Sequence, residues 1–425
     1  SIGSVMQAIL ILAVIGMLIG TWIGGGIVPT LIYYGLQILS PSFFLITALL
    51  LCSIVSIATG SSWTTAGTVG VALIGIAEGL GISVALAAGC IVSGAYFGDK
   101  MSPLSDTTNL APAMAGATLF DHIRHMFYTT GVSYGIVAVI YIVLGLQYKG
   151  QELNASEING ILEAIKSIYI INPLFLLVPV ITIGAVALKI PAIPGLLIGV
   201  VLGGFCMIFQ GGDLGAILEA INYGVEAASG HEMVDELLTN GGMQSMMWTI
   251  SLIMCALTFG GVLESTGMMQ CIAGKMLGWA KSTGSLILVT VLSCLFVNIL
   301  CADQYLGIAL PGKMFKDAYA ERGLAPRNLS RALEDSGTVT SALVPWNTCG
   351  ATMAGFLGVS TFVYAPFAFF NILSPIVSVI YGFTGFSIMT LEEDPASPQY
   401  KHKMKLKKSG RELEEYIANY QAKAN

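Results

Sequence analysis

Two polar interruptions constrain the fold of this chain more than any other feature. The first runs Gly98-Asp99-Lys100-Met101-Ser102-Pro103-Leu104-Ser105-Asp106-Thr107-Thr108-Asn109 and on to Gly116. The second runs Glu334-Asp335-Ser336-Gly337-Thr338-Val339-Thr340-Ser341, then Pro345-Trp346-Asn347-Thr348, and on to Gly355. Each lies between long apolar runs, and a helix crosses a bilayer core in about 20 apolar residues. Irregular backbone survives at that depth only where protein or a water-filled cavity satisfies its polar groups. Paired interruptions in corresponding halves of a hydrophobic chain point to a transporter's binding site.

The surface composition requires lipid. Of 425 residues, 55% are hydrophobic and 10% are charged, against about 25% charged in an ordinary soluble domain. An all-α polytopic membrane protein is expected, with spans near 5–20, 22–39, 42–76 (broken), 82–98, 123–147, 171–188, 192–209, 243–262, 284–311 (broken), 330–345 and 361–386. Segments 110–120 and 348–358 are too short to cross alone and read as half-helices or re-entrant arms. The chain starts at Ser1, so a missing N-terminal piece is expected. The eight cysteines show no CxxC or Cys/His spacing, which argues against a metal site or redox pair; Cys301 and Cys349 touch the breaks. No GxxxxGK[ST] loop occurs, which argues against an ATP-driven pump.

The two interruptions belong to a longer repeat. Gly20-Thr21-Trp22-Ile23-Gly24-Gly25-Gly26 parallels Gly261-Val262-Leu263-Glu264-Ser265-Thr266-Gly267. Cys52 to Gly70 parallels Cys294 to Gly312, which sets Thr59-Gly60-Ser61-Ser62-Trp63 opposite Cys301-Ala302-Asp303-Gln304-Tyr305. The predicted organisation is repeat one at 1–145, a linker with two transmembrane helices at 146–242, repeat two at 243–388 and a polar tail at 389–425. Basic residues cluster at 311–331 in copy two and at Arg124 and His125 in copy one, so the copies are expected to be inverted. The positive-inside rule then places 311–331, 121–125, the Lys189 turn and the basic C-terminal tail in the cytoplasm. The acidic segments 150–166 and 211–240 fall outside. His122 and His125 read as interfacial, and residues 411–422 as a solvated tail or surface helix.

Ionisable groups inside membrane segments are costly and mostly functional. The set here is Asp99, Lys100, Asp106, Glu264, Asp303, Glu334 and Asp335. The first break supplies consecutive oxygen ligands: Ser105, Asp106, Thr107, Thr108 and Asn109. Its flanking Pro103 and Pro112 free backbone carbonyls. Hard cations want several oxygens with a carboxylate among them. Such side chains also cap helices, and both roles fit here. The expected ion or substrate site is Ser61, Ser62, Asp99, Ser105, Asp106, Thr107, Thr108, Asn109, Asp303, Asn347 and Thr348. Na⁺ is expected at Ser105, Asp106, Asn109 and Asn347. Asp106 and Asp303 are the proton-carrier candidates; Asp303 has the neutral Ser61-Ser62 as its counterpart in copy one. Lys100 reads as the partner of Asp99 or as an anion contact, and Arg331 as the partner of Glu334 and Asp335.

At these residues the chain resembles a known family. Thr59-Gly60-Ser61-Ser62-Trp63, Gly67-Thr68-Val69-Gly70, the run Gly98 to Pro112, and Pro345-Trp346-Asn347-Thr348-Cys349-Gly350 are similar to the NhaC-type Na⁺/H⁺ antiporters and the related malate/Na⁺-lactate antiporters. The resemblance covers residues 1–390. It implies two inverted repeats, each with a re-entrant hairpin and a broken helix, a homodimer, and an elevator-like motion of the transport part. The expected function is secondary active Na⁺/H⁺ antiport in the cytoplasmic membrane, with Na⁺ and H⁺ as transported ions and no cofactor. An Na⁺/H⁺-coupled exchanger of small carboxylates, or an Na⁺-coupled amino-acid transporter, is the alternative. An enzyme is not expected, because His125, at the edge of a predicted span, reads as interfacial and no other His falls in a span to activate a serine; nor is a nucleic-acid partner.

Overall fold

The computed structural model describes residues 6–148, 155–188, 190–395, 397 and 399–401. The Lys189 turn and the basic tail beyond Lys401 lie outside them, as does the Glu264 side chain. The described residues contain helices and turns, with isolated bridges at Val225–Asn240 and Leu324–Thr390 but no strand.

In chain order the helices are α1 (Met6–Gly24), α2 (Ile27–Ile38), α3 (Pro41–Thr59), α4 (Ser62–Thr65), α5 (Val71–Gly79), α6 (Val84–Met101), α7 (Asp106–Ala115) and α8 (Leu119–Leu146). The middle segment holds α9 (Ala155–Ile168), α10 (Leu177–Ala187), α11 (Ala192–Phe209), α12 (Leu214–Tyr223) and α13 (Glu232–Leu238). The last part holds α14 (Met247–Ser265), α15 (Met268–Leu277), α16 (Thr283–Leu300), α17 (Gln304–Glu321), α18 (Pro326–Leu333), α19 (Thr348–Leu357), α20 (Thr361–Tyr364) and α21 (Phe369–Thr384). π-Helical turns, which recur at functional sites, join α4 to α5 at Ala66–Gly70 and follow α18 at Glu334–Thr338.

Among the described residues, five helices are long and apolar enough to cross a membrane: α3, α8, α11, the Met243–Leu263 run and α16. Three bent pairs add to them. α1 with α2 bends by 67°, Asn159–Ile168 with Pro173–Ala187 by 92°, and Thr348–Leu357 with Thr361–Phe367 by 90°. The expected separate span at 22–39 is therefore corrected. α2 has 12 residues, about 18 Å at 1.5 Å per residue, and continues α1 around a bend at Gly25-Gly26. The 42–76 span breaks where expected, between α3 and α4, and 284–311 breaks between α16 and α17.

Burial runs opposite to that of a soluble protein. On α8, Phe127, Val132, Ile136, Val139 and Val143 are exposed, while Thr129, Thr130 and Ser133 are fully buried. Apolar groups suit a lipid-facing surface, and polar groups find partners only inside. Helices pack closely through small residues. A Cβ on Gly98 of α6 would lie 2.5 Å from the Ser53 carbonyl oxygen of α3, and Ser56 Oγ donates to the Ala95 carbonyl at 2.6 Å.

The expected basic segments 121–125 and 311–331 pack against each other. Arg327 pairs with Asp121 and Asp394. His122 Nδ1 is 2.8 Å from Ser330 Oγ, and His125 Nε2 is 3.2 Å from Asn328 Oδ1. Both imidazoles, on α8, are buried within the protein.

Gly60 closes α3 with φ +68°, and a Cβ there would sit 2.7 Å from the carbonyl carbon of Leu104 in the first break. Gly60→Ala therefore meets both backbone strain and a clash. It is expected to cost about 1–3 kcal/mol, read as a lower unfolding temperature of the detergent-solubilised protein.

Candidate functional site

Four polar side chains start four helices beside the breaks. Ser61 Oγ accepts from Thr64 N at 3.1 Å and Ser105 Oγ from Thr108 N at 3.4 Å. Asp303 Oδ1 accepts from Leu306 N at 2.8 Å and Asn347 Oδ1 from Cys349 N at 3.0 Å. A helix begins with N–H groups that lack intrahelical partners, and inside a membrane the cap must come from the chain itself. The two breaks between long helices also share a left-handed residue: Gly60 at φ +68° and Ala302 at φ +56°. An alanine in that region stores strain, a pattern that clusters at functional sites.

Three of these capped starts open on one cavity of about 830 Å³. Its wall is built by Gly60, Ser61, Ser62 and Trp63, by Asp99 at the end of α6, by Ser105, Asp106 and Thr107, and by Asp303, Gln304 and Tyr305 of the second broken helix. Ile11 of α1 and the α10–α11 turn complete it. Asp99 Oδ2 accepts from Ser62 Oγ at 2.6 Å and from Ser62 N at 3.3 Å, which ties the two halves of the first unit together. Asp106 is exposed toward the cavity, whereas Asp99 and Asp303 are buried in its wall. Among the described lining residues there are three carboxylates and no Lys, Arg or His.

Of the residues singled out in the sequence, Ser61, Ser62, Asp99, Ser105, Asp106, Thr107 and Asp303 line this cavity; Thr108, Asn109, Asn347 and Thr348 do not. The latter four hold backbone. Thr108 Oγ1 donates to the Lys100 carbonyl at 3.0 Å, and Asn109 Nδ2 to the Pro103 and Ser105 carbonyls at 2.9 and 2.7 Å. Asn347 Nδ2 donates to the Asn298 carbonyl at 3.0 Å, and Thr348 N to the Ala302 carbonyl at 2.9 Å. Of the expected Na⁺ set, Ser105 and Asp106 line the cavity, whereas the Nδ2 groups of Asn109 and Asn347 donate to carbonyls at the helix breaks.

Lys100 is also relocated. Its ammonium is fully buried in an ion pair with Asp335, and it donates to Ser374 Oγ at 2.9 Å. Asp99 is thus not its ion-pair partner, and Lys100 does not line the cavity. Thr129 Oγ1 reaches the same Asp335 oxygen at 3.1 Å. Arg331 donates instead to the carbonyl and hydroxyl of Ser387 at 2.9 and 3.1 Å. Next to Asp335, Glu334 is fully buried and accepts at Oε1 from Thr107 Oγ1 at 3.0 Å. Gln304, Tyr305 and Trp63 are further cavity residues absent from the sequence-based set. The repeat alignment held a signal for them, since Trp63 and Tyr305 occupy the same repeat position two residues after the caps.

With this geometry in place, the likenesses to known proteins are informative. The family model described as the Na⁺/H⁺ antiporter family matches residues 94–386. The Na⁺/H⁺ antiporter NhaC of Alkalihalophilus pseudofirmus is 43% identical over 386 residues, covering 90% of this chain and 83% of that protein. The malate-2H⁺/Na⁺-lactate antiporter of Bacillus subtilis is 40% identical over 381 residues, covering 89% and 81%. The arginine/ornithine antiporter ArcD of Halobacterium salinarum is 42% identical over 397 residues, covering 93% and 82%. The chain belongs to the Na⁺/H⁺ antiporter family.

Removing one member of a buried ion pair strands the other and costs about 3–5 kcal/mol. Lys100→Met is expected to lower the unfolding temperature in detergent accordingly. Lys100→Met combined with Asp335→Asn is expected to recover most of the loss, because no charge is then left alone.

Proposed function

We propose that this protein is a secondary active antiporter that exchanges Na⁺ for H⁺ across the cytoplasmic membrane by alternating access. The cavity carries the reading: three carboxylates and no cationic side chain among its described lining residues. Such a wall attracts a cation, and the capping serines and the Thr107 hydroxyl supply further oxygens of the kind hard ions prefer. In this proposal Na⁺ is held by Asp99, Ser62, Ser105, Thr107 and Asp106, with Asp303 facing it from the second broken helix. Loading a proton or Na⁺ on this set excludes the other, which couples the two gradients without ATP. Residues 1–145 and 243–388 act as inverted repeats about the site, with 146–242 as linker. The matching order of left-handed glycine (Gly26 and Gly267), long helix, break and capped helix in the two parts supports that assignment. The functional unit is a homodimer, and its tail from residue 389 lies in the cytoplasm.

A second reading has its own support. About 830 Å³ is far more than a bare cation needs and falls within the range of small-molecule sites. Three helix N-termini open on it, and their dipoles favour carboxylates. Relatives named for malate, lactate, arginine and ornithine fit a cargo of that size. In that case Na⁺ and H⁺ are coupling ions for an organic acid or amino acid.

Proteoliposomes with a trapped pH-sensitive dye separate the readings. Na⁺ alone is expected to drive proton movement, and Asp99→Asn and Asp106→Asn are each expected to lower it at least about tenfold, which is 1.4 kcal/mol of lost cation binding. A signal that appears only with malate, lactate or an amino acid assigns the site to the exchanger.

A further inference from the structure

We propose that Gln304 contacts the transported cation and sets its selectivity, the side-chain oxygen reaching the ion from the second broken helix. The inference rests on the Na⁺/H⁺ reading and goes beyond it by naming a neutral ligand and its role.

Gln304 is the first residue of α17, directly after the Asp303 cap and the left-handed Ala302. It is 6% exposed and lines the cavity, where it is the one carboxamide among the described lining residues. Its Nε2 donates to the carbonyl of Thr338, the last residue of the π-helical turn Glu334–Thr338, at 3.1 Å. That bond fixes which way the amide faces. The flipped amide would set Oε1 against the Thr338 carbonyl, acceptor against acceptor, and leave a buried carbonyl without this donor. Nε2 is thus spent on the protein, which leaves Oε1 for the cavity.

Other lining residues are arranged the same way. Ser62 Oγ donates to Asp99 Oδ2 at 2.6 Å, and Thr107 Oγ1 donates to Glu334 Oε1 at 3.0 Å. With Gln304, three lining side chains direct their hydrogens at protein acceptors and keep lone pairs for the cavity. Lone pairs receive a cation, whereas an organic carboxylate needs donors. Ser62 and Gln304 are also counterparts in the internal sequence similarity, each one residue after a cap. Ser62 orients a carboxylate, Asp99, while Gln304 brings an amide oxygen of its own.

The difference bears on selectivity. Carboxylates attract every monovalent cation, whereas the number and rigidity of the coordinating oxygens decide which ion recovers most of its lost hydration. Gln304 is held at both ends. Its backbone lies in the first turn of α17, where Asp303 Oδ1 accepts from Leu306 N at 2.8 Å, and its amide is tied to Thr338. An oxygen fixed in this way favours one ionic radius over its neighbours.

The test compares Na⁺, Li⁺ and K⁺ as drivers of proton movement in proteoliposomes. Gln304→Met keeps the length of the side chain and removes both amide functions. It is expected to raise the Na⁺ concentration for half-maximal response at least about tenfold, and to change the ratio of the Na⁺ and Li⁺ values at least about threefold. Gln304→Asn keeps the amide on a stem one methylene shorter, which cannot hold Thr338 and reach the ion together, so it is expected to change the same ratio. A lower unfolding temperature in detergent with unchanged concentrations and ratio makes Gln304 an anchor for Thr338 alone and overturns the proposal. If Gln304→Met does not accumulate, the asparagine variant decides, and an unchanged ratio there overturns it. Unmodified protein in which no cation alone moves protons defeats the Na⁺/H⁺ reading and this assignment with it. That failure shows without any substitution, whereas failure of the assignment alone shows only in the variants.

Discussion

A helix that stops inside a membrane leaves backbone N–H groups where no water can reach them, and the site of this protein follows from how that deficit is met. Ser61, Ser105, Asp303 and Asn347 each turn a side-chain oxygen back onto the helix they start. Once the caps are in place, the breaks become stable walls, and three of the four caps, Ser61, Ser105 and Asp303, also line a shared cavity. Capping and cavity lining are therefore one arrangement. Ser105 does both, since it caps α7 and lies 3.1 Å from Thr107 Oγ1 on the cavity wall.

Behind the cavity lies a layer of buried charge. The Lys100–Asp335 pair, with Ser374 and Thr129 around it, joins α6, α8, α21 and the π-helical turn at Glu334–Thr338. A pair of this kind adds little net stability, but it fixes which elements sit together. By docking the turn that carries Asp335 against α6, it also places Glu334 within reach of Thr107. The same burial that makes this layer costly makes it responsive, because a single added or removed charge cannot be screened by solvent.

Much of the architecture was legible in the residues. The breaks at Gly60-Ser61 and Ala302-Asp303, the half-helices Asp106–Ala115 and Thr348–Leu357, and the correspondence of Ser61 with Asp303 followed from polarity, length and internal similarity. The bend between α1 and α2 was not, because Gly24-Gly25-Gly26 reads equally as close packing or as a turn. One ion-pair partner was misread for a definite reason. Spacing along the chain made Asp99 the partner of Lys100, whereas its partner Asp335 lies 235 residues away.

The sequence by itself determined that the chain lives in lipid, that it is broken twice in matching places, and that the breaks carry oxygen-bearing side chains. Those properties depend on hydropathy, on proline and glycine, and on side-chain chemistry, all of which are local. Only the tertiary structure decided which oxygens face the cavity and which hold backbone. Adjacent residues of one short helix point in different directions: Asp106 and Thr107 reach the cavity, while Thr108 and Asn109 turn back to carbonyls of the preceding break. It also decided that Glu334 stands behind Thr107, a contact across 227 residues. Such a pairing is set by how helices pack, and nothing in the residues between them records it.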